Sequence, residues 1–408
     1  MQGTMEDKFN HINGGVTAPK GFKASGVCAA IKKPGIKDLA IIYSEVVANA
    51  AGVFTTNKIK AAPLTLTMEN LSDGRAQALI VNSGNANACT GSEGYTNALE
   101  TIKVTAECLG VNEKDTLVTS TGVIGVQLPM EKIIAGIPAA VKALNVQGGK
   151  DAAEAIMTTD SAPKEIALEL ELSGGKVTIG AMAKGSGMIH PNMATMLGFV
   201  TTDANMEQGA LQKALKFVTN KSFNMISVDG DTSTNDMVVA MANGLAENTQ
   251  ISEGSQDFEL FQKALEYICV ALAKQIAADG EGATKLLEVS IENAPTEEDA
   301  KKAAMAVTKS SLVKTAVYGE DANWGRVIAA VGYSGADFDP AKVDIYLGDE
   351  KMAEDGCGLV FDEAKAKKIL EEKEVTIRVD LKVGKKKAVA WGCDLSYDYV
   401  KINADYRT

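Results

Sequence analysis

The most unusual stretch of the chain is a glycine-rich polar loop that runs into an apolar segment. It reads Lys184-Gly-Ser-Gly-Met-Ile-His-Pro-Asn-Met-Ala-Thr-Met-Leu-Gly-Phe-Val-Thr-Thr-Asp203. In a phosphate-binding P-loop the lysine follows the glycines, whereas Lys184 precedes them, and the G-x-G-x-x-G pattern is absent. This order of residues disfavours phosphate binding.

Thr195, at the end of the polar loop, is a candidate nucleophile. A threonine hydroxyl is inert at neutral pH unless a base takes its proton, and the α-amine of an N-terminal threonine, with a pKa of about 7.7–8.0, can do so. Thr195 would gain that amine by cleavage of the Ala194–Thr195 bond. The alternative is an ordinary β-branched residue at the start of a strand.

Histidine is scarce, since the 408 residues include only His11 and His190. A Ser-His-Asp relay or a histidine-rich metal site would have to use one of them.

The six cysteines show no C-x-x-C spacing, which favours reduced thiols over disulfides or a zinc site. The formal net charge of −12 disfavours nucleic acids and anionic membranes as partners. No apolar run long enough for a signal or a membrane span is visible, so we expect a cytoplasmic protein.

The elements that must position Thr195 are mixed strands and helices. Over the first two-thirds of the chain, the pattern predicts strands at 38–43 and 78–81 and a third strand that begins at 117. It also predicts a helix over about 95–109, a hairpin of 166–172 with 177–182, and helices over about 206–223 and 258–277.

In the last third of the chain, the pattern predicts a strand at 286–291, helices at 297–309 and 361–371, and short strands at 328–331 and 343–347. It also predicts that 375–383 pairs with 388–391 across a turn. Mixed strands, helices and hairpins indicate α+β packing, with a smaller C-terminal α+β unit from about residue 285.

Several motifs together resemble the ornithine acetyltransferase family, also called the glutamate N-acetyltransferases of arginine biosynthesis. The resemblance extends from near Gly14 to the last residue. The motifs are Asn82-Ser-Gly-Asn-Ala-Asn-Ala88, Thr121-Gly122, Lys184-Gly-Ser-Gly-Met188, Pro191-Asn-Met-Ala-Thr-Met-Leu197, Asp229-Gly-Asp-Thr-Ser-Thr-Asn-Asp236 and Asn403-Ala-Asp-Tyr-Arg-Thr408.

The resemblance implies a layered αββα-type sandwich and self-cleavage before Thr195. The expected parts are an α chain 1–194, a portion 195–284 of the β chain that completes the sandwich, and the domain 285–408. Two α and two β chains would form a heterotetramer. Thr195 would take acetyl from N-acetylornithine, release ornithine and pass acetyl to glutamate to give N-acetylglutamate, in a ping-pong reaction. No metal or cofactor is implied, although acetyl-CoA could be a further acetyl donor.

The resemblance also implies roles for individual residues. The Thr121 hydroxyl and the Gly122 N–H would stabilise the oxyanion. The substrate contacts carried over are Thr158, Lys184, Thr195, Glu281, Asn403 and Thr408. We expect Lys184 to meet a substrate carboxylate and Glu281 an ammonium group, because opposite charges attract strongly in a partly desolvated site.

Each of these residues also has an ordinary structural interpretation. Thr121-Gly122 can be a turn, Lys184 and Glu281 solvated charges, and Thr158 a capping hydroxyl. We interpret His190 as a loop residue, because the α-amine already supplies a base. The segment 229–236 could ligate a hard cation, but its composition favours a hydrogen-bonded loop.

Two other functions remain open at this point. A self-processing aminopeptidase of the related N-terminal-nucleophile type would hydrolyse its acyl-enzyme with water. A protein that binds amino acids without catalysis would keep the fold and remain uncut.

Overall fold

The computed structural model describes residues 9–190 and 196–405. Contacts between residues divide the chain into two units. Unit 1 is drawn from Met1–Gly185, Asn192–Ser222 and Thr232–Leu272, and unit 2 from Ser186–Pro191, Phe223–Asp231 and Ala273–Thr408. The division into 1–194, 195–284 and 285–408 combines a cleavage site with a domain boundary and stays a prediction.

Both units contain strands and helices. The strands are β1 (Asn10–Ile12), β2 (Phe22–Val27), β3 (Leu39–Phe54), β4 (Arg75–Asn85), β5 (Thr116–Val123), β6 (Lys164–Leu172), β7 (Gly175–Lys184), β8 (Leu197–Thr202), β9 (Ile226–Ser227), β10 (Met237–Ala242), β11 (Leu286–Ala294), β12 (Asp344–Leu347), β13 (Glu350–Glu354), β14 (Cys357–Gly358), β15 (Glu374–Asp380) and β16 (Lys386–Cys393).

The helices are α1 (Ala62–Asn70), α2 (Gly91–Leu109), α3 (Met130–Lys142), α4 (Gly149–Ala155), α5 (Gln208–Thr219), α6 (Gln256–Ala278), α7 (Glu297–Lys309), α8 (Ser311–Tyr318), α9 (Trp324–Gly332), α10 (Glu363–Glu371) and α11 (Tyr397–Ala404). Among the described residues, no helix is both long and apolar enough to cross a membrane.

The sheet of unit 1 depends on the long strand β3. The strand order is β1-β6-β7-β8-β10-β3-β4-β5, and β2 also pairs with β3. The first half of β3 pairs with β2 and β4, Ala48 and Asn49 pair again with β4, and the second half from Asn49 onward pairs with β10. A register shift between Tyr43 and Ala48 separates the two halves. One strand therefore belongs to two parts of the sheet.

Alternate residues of β3 face two different cores. Ile42 packs in a cluster with Met182 and Phe199, so the two parts of the sheet share one apolar layer. Ile41, on the opposite face, packs in a cluster with Ile102 of α2 and others from α3. Both isoleucines are fully buried, and each burial stabilises the fold by about 1.5–3 kcal/mol.

Helices cover the sheet layers of unit 1. Helix α3 packs on β2 and β3, α2 packs on α3, β4 and β5, and α5 packs on β3 and β10. These layers confirm the predicted α+β class and agree with the expected αββα-type sandwich. The predicted 166–182 hairpin is β6 and β7, whose last pair is Leu172 opposite Gly175.

Unit 2 is a second mixed sheet with helices. Its strand order is β14-β13-β12-β15-β11-β16-β9, and α7 packs on β11 and β16. Helix α7 has the bounds predicted for the helix over 297–309, and Thr296 caps it by accepting a hydrogen bond from the Asp299 N–H.

The predicted pairing of 375–383 with 388–391 is wrong. Strand β11 lies between β15 and β16, pairing in parallel with β15 and antiparallel with β16. The connection lies against the end of β11, where a Cβ on Gly384 would come within 2.0 Å of the Ala294 carbonyl oxygen. A turn between two apolar runs therefore did not make them neighbours.

The predicted short strand at 328–331 is also wrong, because these residues lie in α9. Asn323 caps this helix by accepting from the Arg326 N–H, and Val327, Ala330 and Val331 form its buried face. Their i, i+3, i+4 spacing is helical, so the cap and the period outweigh the local β propensity.

Candidate functional site

The carboxyl ends of β4 and β5 lie side by side and include the predicted oxyanion residues. The two strands are parallel, and Gly84 lies opposite Gly122. Gly122 has a φ of +135°, and a Cβ there would come within 2.3 Å of the Gly84 carbonyl carbon and 2.5 Å of the Asn85 nitrogen. Only glycine allows the two chains to approach this closely.

Side-chain amides fix the main chain around Thr121. This threonine is only 9% exposed. Asn235 Nδ2 donates to the carbonyl oxygens of Ala86, at 2.6 Å, and Ser120, at 2.8 Å. The Ser120 hydroxyl donates to Asn82 Oδ1 at 2.5 Å. The polar segment 82–88 thus forms part of the wall beside Thr121, and Asn235 links both strand ends.

Lys184, the last residue of β7, has two partners in unit 1: Thr158, which is a predicted site residue, and Asp160, which is not. Its Nζ donates to the Thr158 hydroxyl at 2.7 Å and lies 3.6 Å from Asp160 Oδ2. Only 5% of the Lys184 side chain is exposed. Thr158 and Lys184 are therefore in contact, and Lys184 is not a solvated strand-end charge.

Asp160 is the anchor of this cluster and was not predicted from sequence. Its fully buried carboxylate accepts from Lys164 Nζ at 2.8 Å, from the Gly185 N–H at 2.7 Å and from the Thr158 N–H at 3.0 Å. Burial alone would raise the pKa of Asp160, but the charges of Lys184 and Lys164 hold it below its usual value. The carboxyl group is therefore ionised at neutral pH.

The cluster carries more positive than negative charge. Burial lowers the pKa of Lys32, and the charge of Lys184 lowers it further, while Asp38 and Asp160 act in the opposite direction. Two lysine ammonium groups, those of Lys164 and Lys184, thus lie against the single carboxylate of Asp160. Such a site favours an anionic group as ligand.

In unit 2, Glu281 lies in the loop after α6 and is 6% exposed. Its N–H donates to the Ser186 carbonyl oxygen at 3.2 Å, and the Ser186 hydroxyl donates to the Asp279 carbonyl at 2.7 Å. A Cβ on Gly187 would come within 2.3 Å of the Glu281 carboxyl carbon. The glycine-rich loop therefore lies directly against this carboxylate.

Asn403, on α11, donates to Glu281 Oε2 at 2.8 Å. The two residues are therefore in direct contact. Burial raises the pKa of Asp229 and of Tyr399, and the negative charges of Glu281 and Asp231 raise both further, so negative charge is concentrated around these residues. This part of unit 2 favours a cation.

The Asp229 carboxylate caps the glycine-rich loop of unit 2. It accepts from the Met188 N–H at 2.6 Å and from the Asp231 N–H at 3.2 Å. These bonds agree with the interpretation of this part of 229–236 as a hydrogen-bonded loop.

His190 is half-buried in unit 2. Burial lowers its pKa to about 4, the positive charge of Lys309 contributes to the shift, and Asp231 opposes it. His190 is therefore neutral at physiological pH. Three other predicted residues, Ala194, Thr195 and Thr408, lie outside the described residues.

A sequence model of the ArgJ family matches residues 23–408. A curated relative from Caldanaerobacter subterraneus subsp. tengcongensis is 58% identical over 401 residues, covering 97% of this chain and 99% of the relative. One from Symbiobacterium thermophilum is 59% identical over 399 residues, with the same coverage. Both are named arginine biosynthesis bifunctional protein ArgJ.

A crystal structure of the arginine biosynthesis bifunctional protein ArgJ from Bacillus halodurans is also similar. Its sequence is 52% identical and the TM-score is 0.51. The match covers 99% of that chain but only 52% of this one. The solved chain is therefore about half as long as the chain described here.

Asp160→Asn tests the buried charge cluster. The variant leaves Lys164 and Lys184 without their buried carboxylate, and we expect a loss of about 3–5 kcal/mol at pH 7. Because the folded-state pKa of Asp160 is lowered, its stabilisation is complete above the unfolded value of about 3.9 and is lost as the pH falls further. Denaturant unfolding at several pH values should therefore show the difference shrinking in acid.

The matched control is Asp349→Asn, which removes an exposed carboxylate that lies 3.0 Å from Lys365 Nζ. This variant should unfold with nearly the wild-type midpoint, since exposed pairs contribute little. Equal destabilisation by both variants would contradict the role given to Asp160.

His190→Ala tests whether the half-buried imidazole does chemistry. With its pKa near 4, the imidazole does not titrate between pH 5 and 8, so the variant should keep the shape of the pH–rate profile and most of the turnover. Steady-state kinetics over that pH range provide the measurement. A thousand-fold loss of kcat would overturn the assignment of His190 as a loop residue.

Proposed function

The chain belongs to the ArgJ family, and we propose that this acyltransferase moves acetyl from N-acetylornithine to glutamate through an acetyl ester on Thr195. The observation that carries the proposal is the 58% identity to a curated ArgJ protein over 97% of this chain. Two relatives of that name point to the same assignment.

The proposal includes self-cleavage between Ala194 and Thr195. The products would be chains 1–194 and 195–408, which associate as two α and two β chains. The half-length ArgJ chain of the similar crystal structure supports this division. Cleavage supplies the α-amine of Thr195, which is needed because the chain offers so little histidine.

In the acetyl-transfer step, the Thr195 hydroxyl oxygen attacks the acetyl carbonyl carbon of N-acetylornithine. The α-amine takes the hydroxyl proton and passes it to the departing nitrogen of ornithine. The amine of glutamate then attacks the ester, Thr195 regains its proton, and N-acetylglutamate leaves. The same ester, when attacked by water, would give only hydrolysis.

Thr121 and Gly122 are assigned to the oxyanion. A hydroxyl and a main-chain N–H can both donate to the negative oxygen of the tetrahedral intermediate. The proximity of Gly84 to Gly122 and the amide bonds of Asn235 support this role, because they hold the donors rigid before substrate binds.

The charge clusters support the assignment of the substrate contacts. Lys184 and Thr158 would bind the α-carboxylate of the amino acid, which suits the excess of positive charge around them. Glu281 and Asn403 would bind the side-chain ammonium of ornithine. Thr408 is proposed as a further contact.

Acetyl-CoA is proposed as a second acetyl donor, in keeping with the word bifunctional in the names of the relatives. The reaction as written needs no metal or cofactor, since the acetyl group itself supplies the electrophile. We propose a cytoplasmic location, where amino-acid biosynthesis takes place. We propose no nucleic-acid partner and no membrane partner.

Thr195→Ala is the decisive variant. Wild-type protein should give two polypeptides, 1–194 and 195–408, by denaturing electrophoresis and intact mass, whereas Thr195→Ala should remain one chain without activity. Wild-type protein given N-acetylornithine without glutamate should gain one acetyl group on the 195–408 chain. Thr195→Ser, which keeps the hydroxyl and amine, is the control and should be cleaved.

The same assays separate the alternatives. An aminopeptidase would be cut but would release amino acids from peptides and not acetylate glutamate. A protein that only binds amino acids would remain a single chain. Glutamate acetylation with acetyl-CoA alone shows whether the second donor is used.

Thr121→Ala tests the oxyanion assignment. Loss of one donor should lower kcat by about 10²–10³-fold, with a smaller effect on KM, because the interaction forms in the transition state. Thr121→Ser is the matched control and should retain most of the activity. If the alanine and serine variants had equal kcat values, the hydroxyl would not be the donor.

A further inference from the structure

Lys32 is a lysine of unit 1 to which the proposed reaction gives no role. It lies in the connection between β2 and β3 and is half-buried. A Cβ on Gly84 would come within 2.7 Å of Lys32 Cγ, so the aliphatic part of the lysine lies directly against this glycine. Gly84 is the residue opposite Gly122. The side chain of Lys32 therefore passes the end of β4, next to the strand end that includes the proposed oxyanion residues.

The main chain of Lys32 is held in place by Asp38, which is fully buried. One oxygen of this carboxylate accepts from the Ala29 N–H at 2.6 Å, and the other accepts from the Lys32 N–H at 2.9 Å. The Asp38 carbonyl oxygen accepts from the Ser83 N–H at 2.9 Å. Asp38 thus ties the connection that includes Lys32 to the end of β4.

The Lys32 ammonium group reaches the cluster that includes Lys184. Its Nζ donates to the Met157 carbonyl oxygen at 3.0 Å. The next residue is Thr158, whose hydroxyl accepts from Lys184 Nζ at 2.7 Å. Two consecutive residues therefore hold the two ammonium groups, one through a carbonyl oxygen and the other through a hydroxyl.

The Lys32 ammonium group has donors to spare. It carries three N–H bonds, and the Met157 carbonyl is its one hydrogen-bond acceptor among the described residues. Burial and the positive charge of Lys184 both lower the pKa of Lys32. A carboxylate between the two ammonium groups would relieve their mutual repulsion and accept the remaining hydrogen bonds.

We propose that Lys32 is a further substrate-binding residue, whose ammonium group contacts the α-carboxylate that Lys184 and Thr158 bind. This inference rests on the proposed function, which supplies that carboxylate. A carboxylate has two oxygens, so each ammonium group can donate to one of them. N-acetylornithine and glutamate both carry an α-carboxylate, so the contact serves both halves of the reaction.

Lys32→Met tests the contact, because methionine keeps most of the aliphatic stem against Gly84 but removes the charge. The value of kcat/KM for N-acetylornithine and for glutamate should fall about 10–100-fold, as expected for loss of a hydrogen bond between charged groups. The value of kcat should stay close to that of the wild type, because the contact is the same in the ground state and the transition state. Steady-state kinetics with each substrate varied in turn provide the measurement.

Ornithine and putrescine separate a substrate contact from a structural role. Putrescine is ornithine without the α-carboxylate, so it keeps both amines and lacks the group that Lys32 binds. Each compound is titrated as an inhibitor of acetyl transfer. Lys32→Met should raise the inhibition constant of ornithine about 10–100-fold and leave that of putrescine unchanged. Equal weakening of both compounds would mean that the variant disturbs the site as a whole, and would overturn the proposal.

Lys33→Met is the matched control, because it removes an exposed lysine from the adjacent position. It should keep wild-type kinetics and inhibition. Lys32→Arg keeps a positive charge and should recover most of the affinity for ornithine. Thermal unfolding checks that each variant is folded. If Lys32→Met does not fold, Lys32→Gln, whose amide can still donate to the Met157 carbonyl, replaces it in both titrations.

The two proposals fail in different ways. Wild-type protein that does not transfer acetyl from N-acetylornithine to glutamate overturns the proposed function, and the Lys32 contact with it. An active wild type together with a Lys32→Met variant that binds ornithine equally well overturns the Lys32 contact alone. A variant that loses kcat at an unchanged KM has the same consequence, since the ammonium group would then act on the transition state and not on the α-carboxylate.

Discussion

A carboxylate with no exposed surface stays ionised only when cations and N–H groups replace the water it has lost, and Asp160 has both. Lys164 at the start of β6 and Lys184 at the end of β7 supply the charge, and the N–H groups of Thr158 and Gly185 complete the shell. Four points of the chain thus converge on one buried group. The position of the Lys184 ammonium follows from this convergence.

Close approach of main chains is the second constraint, and it explains where glycine is required. Gly122 lies against the Gly84 carbonyl group in unit 1, and Gly187 lies against the Glu281 carboxylate in unit 2. In both places a Cβ would overlap with atoms that belong to, or lie next to, residues with a role in the proposed reaction. Gly122 thus has a conformational reason, its positive φ, as well as a steric one, whereas the reason at Gly187 is steric alone.

The sequence predicted what local periodicity and motifs encode. The β6–β7 hairpin and helix α7 were predictable because their turn, cap and spacing lie within a few residues of each other. The insertion of β11 between β15 and β16 was not, since strand order is a long-range property. Likewise Lys184 and Asn235 belong to recognisable motifs, whereas Asp160 lies outside them and its role depends on contacts with Lys184 and Gly185 from another segment.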